Sequence, residues 1–108
     1  MTGPTERLVV FITVSGEEEG RDIARLLVGE RKAACVNVLP GVDSVFWWKG
    51  KIDSERESLL IVKTKAALFP EVVDLVKSVH SYEVPEIVAM PIVAGNEDYL
   101  DWLDQECR

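Results

Sequence analysis

A four-stranded α/β sandwich is the fold class this sequence predicts, and three observations predict it. Apolar runs at residues 7–14, 33–48, 57–64 and 87–93 read as four strands. Two segments between them, residues 17–31 and 68–80, repeat apolar residues at helical spacing. The order strand, helix, strand, strand, helix, strand is the split β-α-β arrangement of ferredoxin-like folds. There, two helices cover one face of an antiparallel sheet.

"RLVVFITV", residues 7–14, is apolar almost throughout, as a central strand requires. "SGEEEG" turns the chain and sets three acids where a helix N-terminus favours negative charge. In the first helix, residues 17–31, Ile23, Ala24, Leu26 and Leu27 share one face, and Gly29 weakens the last turn. Residues 33–48 are extended, with an interruption at Pro40-Gly41. "WKGK" reverses the chain, and polar "IDSERE" leads into the strand "ESLLIVKT", residues 57–64. Leu68, Phe69, Val72, Val73, Val76 and Val79 mark the second helix. Pro85 biases Val84 away from helix, so "SYEVPE" is a connector. Pro91 lacks a donor, which puts the last strand, residues 87–93, at an edge or a bulge. Asn96 caps a short terminal helix expected to pack Tyr99, Leu100, Trp102 and Leu103. With 108 residues, a single domain over residues 1–108 is expected.

Nineteen acidic against twelve basic residues give a formal charge of −7, with no basic stripe, which argues against a nucleic-acid partner. No apolar run approaches membrane-spanning length, so no membrane partner is expected. "MTGPTERL" lacks the positive-then-apolar pattern of an export signal. Cys35 and Cys107 therefore read as reduced thiols of a cytoplasmic protein, and Cys107, one residue from the end, as mobile and incidental. The single histidine, the scattered glycines and the lack of a nucleophile elbow predict a protein that is not an enzyme.

The strands do not alternate as a half-solvated sheet requires. Val9 and Phe11 oppose Leu8, Val10 and Ile12; Leu59 and Ile61 oppose Leu60 and Val62; Val88 and Met90 oppose Ile87 and Ala89. One apolar face suits the helices, and the other marks an interface. Residues 35–48, extended, reach roughly 45 Å, against less than about 20 Å for the second helix. The hairpin must overhang, and Phe46, Trp47 and Trp48 on it are the expected oligomer interface.

The stretches "ERKAACVNVLPGVDSVFWWKGKI", "LLIVKT", "HSYEVPEIVAMPI" and "YLDWL" resemble the divalent-cation tolerance (CutA) family over nearly the whole chain. The resemblance implies a homotrimer of ferredoxin-like subunits, similar to nitrogen-regulatory PII trimers, acting in the response to metal ions and binding copper. It marks Cys35 and His80 as metal ligands. Lys63, Tyr82, Glu83 and Glu86 fall on matching positions of the inter-subunit cleft, and Trp48 on the tryptophan near the hairpin tip. Ser81 stands where the family usually has proline, which leaves the loop less stiff. The resemblance leaves open a sensor or scaffold that binds a small anionic ligand or protein partner in those clefts, without specific metal binding.

Overall fold

The computed structural model describes residues 6–108; residues 1–5, part of the stretch read for an export signal, lie outside the described residues. The elements are β1 (Arg7–Val14), α1 (Glu17–Gly29), β2 (Cys35–Trp48), β3 (Lys51–Lys65), α2 (Phe69–Val79, entered through a 3-10 turn at Ala66–Leu68), β4 (Ile87–Pro91) and α3 (Glu97–Glu106). The sheet order is β2-β3-β1-β4 with every neighbouring pair antiparallel, the ferredoxin-like arrangement.

Burial follows strand parity. Val10, Ile12 and Val14 of β1 and Leu60 and Val62 of β3 are sealed against Ile23 and Leu27 of α1 and Val72 and Val76 of α2. Gly20 lets α1 approach closely, since a Cβ there would meet Val38, Leu60 and Val14 at 3.2–3.3 Å. The opposite face carries no helix over most of its area. Val88 and Met90 are about half exposed there.

The hairpin of β2 and β3 gives the molecule its 46 Å long axis. Lys49 (φ 50°) and Gly50 (φ 81°) close it as a two-residue turn with both central residues left-handed, which matches strand twist. Between Leu39 and Val42 the pairing slips, because three steps on β2 match two on β3. Pro40, with no N–H to give, lies in this bulge. The extra residue reverses parity. Beyond it Phe46 and Trp48 face the uncovered side and Trp47 the other, beside Val45 and Ile52.

Three boundaries and one packing assignment differ from the sequence expectation. The first helix stops at Gly29 rather than residue 31. Arg31 (φ 62°) is left-handed and donates to the Val28 carbonyl while Lys32 donates to that of Leu27, a Schellman stop built without glycine. β3 begins at Lys51, because "IDSERE" pairs fully with the outer part of β2. The last strand ends at Pro91, not residue 93: the Ile92 N–H reaches the Arg7 carbonyl, where β1 starts. In the second helix Val79 is half exposed, and Leu75 packs on the core instead.

The terminal helix is the larger correction. Asn96 caps it as expected, its side chain accepting from the Asp98 N–H. Of the four residues expected to pack, only Leu103 is sealed. Tyr99 and Trp102 stack on each other at 5.4 Å and stay about 40% exposed. Cys107 is not incidental. It is fully buried with Leu103, Ala34 and Leu68, its thiol donates to the Leu103 carbonyl, and Arg108 N–H donates to the Arg31 carbonyl. Asp104 takes Arg7 in a two-pronged ion pair and its carbonyl accepts from Lys65, so α3 lies across one end of the uncovered face.

Leu103→Ala should cost about 2–5 kcal/mol of stability, as cavity-forming core truncations do. Exposed Gln105→Ala should stay within about 0.5 kcal/mol. Urea denaturation followed by far-UV circular dichroism compares them. Equal stabilities would show that α3 is not part of the cooperative core.

Candidate functional site

The connector between α2 and β4 is fastened by side chains rather than by secondary structure. α2 ends at Val79, and His80, in extended conformation, directs its ring into the protein, where no part of the side chain is exposed. Its Nδ1 accepts from the Tyr82 N–H at 3.0 Å, so Nε2 carries the proton and donates to the Thr13 carbonyl at 2.8 Å. Glu19, on the first turn of α1, holds the next residue: it accepts from the Ser81 N–H and hydroxyl and from the Ser15 N–H and hydroxyl. Burial alone would raise the Glu19 pKa; these four hydrogen bonds outweigh it, and the pKa falls below the ordinary value. A proline at 81 could not donate the backbone bond, so Ser81 replaces stiffness with an anchor.

Tyr82 then meets β3. Its hydroxyl donates to Glu57 at 2.6 Å, and burial, that bond and the nearby carboxylates push its pKa well up, so it stays a donor. Glu57 is 7% exposed. Tyr82 and Glu57 form the floor of a groove of about 780 Å³ at the root of the hairpin. Glu83, Val84 and Glu86 of the connector wall it on one side, and Phe46, Trp48 and Glu55 of the hairpin on the other. Among the described residues, no lysine, arginine or histidine lines it. Its charged lining is therefore all carboxylate, beside the hydroxyls of Thr13, Ser15, Ser44 and Tyr82.

The residues singled out from the sequence therefore divide into two places. Tyr82, Glu83 and Glu86 share the groove with Phe46 and Trp48. Cys35 and Lys63 are elsewhere: they pair across β2 and β3, level with Val9, and the Lys63 ammonium donates to Asn37. Cys35 is partly exposed beside Tyr99, whose pKa is raised by burial and then by the nearby thiol. His80 sits at Thr13, four residues further along β1, roughly 13 Å at strand rise. One chain does not bring Cys35 and His80 together, and among the described residues no three His, Cys, Asp or Glu side chains converge as a metal cage. His80 has no free ring nitrogen to offer.

Sequence reasoning missed Glu19 and Glu57. Glu19 lay in "GEEEG", read as helix-start electrostatics, and nothing in that run marks which acid reaches 62 residues ahead. Glu57 had a signal: it is an acid at the start of an apolar strand, on the parity of Leu59 and Ile61.

The sequence profile of the CutA1 divalent ion tolerance protein family matches residues 8–106. A divalent-cation tolerance protein CutA from Thermus thermophilus is 54% identical over 88% of this chain and 92% of its own length. A chloroplastic CutA 1 protein from Oryza sativa is 45% identical over 94% of this chain, which spans only 57% of that relative. The crystal structure of CutA1 from Oryza sativa superposes with a TM-score of 0.94 at 43% identity, covering 98% of both chains.

Because its folded-state pKa is lowered, Glu19 contributes stability that is present above the ordinary glutamate value of 4.5 and is lost as pH falls through the folded value. Glu19→Gln should be less stable than the parent near neutral pH, and the gap should close below that value. Denaturation midpoints across pH 3–7 check this. A gap independent of pH would mean that ionisation of Glu19 does not matter.

Proposed function

The chain belongs to the CutA1 divalent ion tolerance protein family, and on that footing we propose that it works as a cytoplasmic homotrimer in the response to metal ions, by binding rather than by catalysis. The observation that carries this reading is the uncovered sheet face, continuous with the overhanging hairpin. Leu39, Val88 and Met90 on the face, and Val45, Trp47 and Ile52 on the outer side of the hairpin, are all 40% exposed or more. Apolar area of this kind stabilises association by about 25 cal/mol per Å² before the costs of binding. The overhang presents apolar side chains on both of its faces, so a neighbouring copy can bury what one subunit cannot. The number three comes from the family.

For the metal, the two candidate ligands differ. The Cys35 thiolate is a soft donor suited to Cu(I) and is accessible on the uncovered face. Cys107 is sealed, and both ring nitrogens of His80 are engaged. Copper therefore rests on Cys35, with the remaining donors supplied by another copy. His80 is a structural residue in this reading.

Light scattering on a size-exclusion peak should give three times 12.1 kDa, about 36 kDa. A monomer mass at micromolar concentration would refute the assembly. Trp48→Ala should weaken the trimer by about 1 kcal/mol or more if the indole anchors a neighbour. Titration of the reduced protein with Cu(I) should lose its tight site in Cys35→Ala and keep it in His80→Gln. Equal affinity in all three proteins would make the copper adventitious.

A further inference from the structure

We infer that Lys63 of one copy enters the groove at the root of a neighbouring copy's hairpin and pairs there with Glu57. The inference rests on the assembly proposed above and names the charges that lock its boundary. On β3, Glu57, Leu59, Ile61 and Lys63 share the uncovered face by strand parity. Among the described residues, the two charges in this row have no charged partner within their own chain. Glu57 is 7% exposed, and no basic side chain lies within ion-pair distance of it. Lys63 is partly buried, level with Val9 and Cys35, and its hydrogen-bond acceptor is the neutral amide of Asn37. The cations beside it are engaged: Arg7 pairs with Asp104, and Lys65 donates to the Asp104 carbonyl.

One chain cannot join these two charges, because they lie roughly 20 Å apart along a single strand. A second copy can. In a head-to-tail ring each boundary joins two different patches of the same chain, so the Lys63 end of one copy meets the Glu57 end of the next. Burial makes the meeting necessary. Lys63 rises among Val9, Ile61 and Cys35, and a copy that covers this apolar patch strips the ammonium of water. Glu57 already takes the Tyr82 hydroxyl, which satisfies one oxygen and leaves the negative charge uncompensated. A lysine supplies the opposite charge and a further donor. Glu55, Glu83 and Glu86 line the same groove but are exposed, so water solvates them without a partner. The groove is then a slot for the neighbour, and Phe46 and Trp48 on its wall are the rings that close over the lysine stem. The pair uses neither Cys35 nor His80, so it stands or falls apart from the copper reading.

The test is subunit exchange between heavy-isotope-labelled and unlabelled full-length protein, followed by native mass spectrometry. Lys63→Met and Glu57→Gln should each speed exchange by about ten-fold or more, because each strands one buried charge at the boundary. The glutamine side chain still accepts the Tyr82 hydroxyl, so the groove keeps its floor. The double variant strands neither charge and should exchange more slowly than either single variant. Lys77→Met, an exposed change of equal charge on α2, should alter exchange by less than about two-fold. A crystal structure of the parent assembly needs no variant and keeps the test decisive even if Glu57→Gln fails to fold. It should place the Lys63 Nζ within about 4 Å of a neighbour's Glu57 carboxylate. A parent that runs as a monomer would overturn the assembly and the pair together. A trimeric parent in which the two single effects simply add, or in which Lys63 lies away from every neighbour's Glu57, would overturn the pair alone.

Discussion

A sheet that is apolar on both faces but covered by helices on one is the constraint from which the rest of this structure follows. α1 and α2 pack on Val10, Ile12, Leu60 and Val62 and complete an ordinary core. Nothing of comparable size remains for the other side. α3 meets part of the need by lying across one end, held by the Arg7–Asp104 pair and by burial of Leu103 and Cys107. The β4 edge of the face, around Val88 and Met90, stays uncovered. Hydrophobic burial drives the fold, and on this face it is left unfinished within one chain.

The connector after α2 shows how polar groups act where apolar packing is thin. His80 fills a buried slot with both nitrogens bonded, and Glu19 collects four donors from two separate segments. Each bond contributes modestly, but leaving a ring nitrogen of the buried His80 unpaired would be expensive. Together they fix the direction of Tyr82, and so the position of Glu57. The groove is thus a consequence of a hydrogen-bonded loop docked on the end of a rigid sheet.

Much of this fold was legible in the sequence because periodicity reports burial directly. The continuous apolar runs in "RLVVFITV" and "ESLLIVKT" read as central strands, and the 3.6-residue repeat around Val72 and Val76 as a helix buried on one side. Errors gathered where a tertiary partner decides the outcome. Cys107 looked like a loose end because nothing local announces a pocket formed by Ala34 and Leu68. Tyr99 and Trp102 have helical spacing for packing, but α3 is wide enough only to bury Leu103 against the sheet. At the candidate site, residue identity was legible and grouping was not. Lys63 and Glu86 stand on neighbouring segments in the sequence pattern, yet the structure assigns one to Asn37 and the other to the groove.

The bulge at Pro40-Gly41 decides what the hairpin can do. In a regular strand residues of one parity keep to one face, so Cys35, Asn37 and Leu39 would be followed on that face by Val45 and Trp47. One inserted residue moves Phe46 and Trp48 there instead, opposite Asp53 and Lys51 and on the side of Glu55 and Glu57. Aromatic rings and acids then share a wall, and Trp47 joins Val45 and Ile52 on the outer surface. Deleting Gly41 would leave two steps on β2 against two on β3, so pairing would become regular with Val42 still opposite Glu57 and Trp48 still opposite Lys51, and the aromatics would keep their faces. The three consecutive aromatics are therefore not redundant. Alternation sends them to two surfaces, and the bulge sets which surface receives two of them.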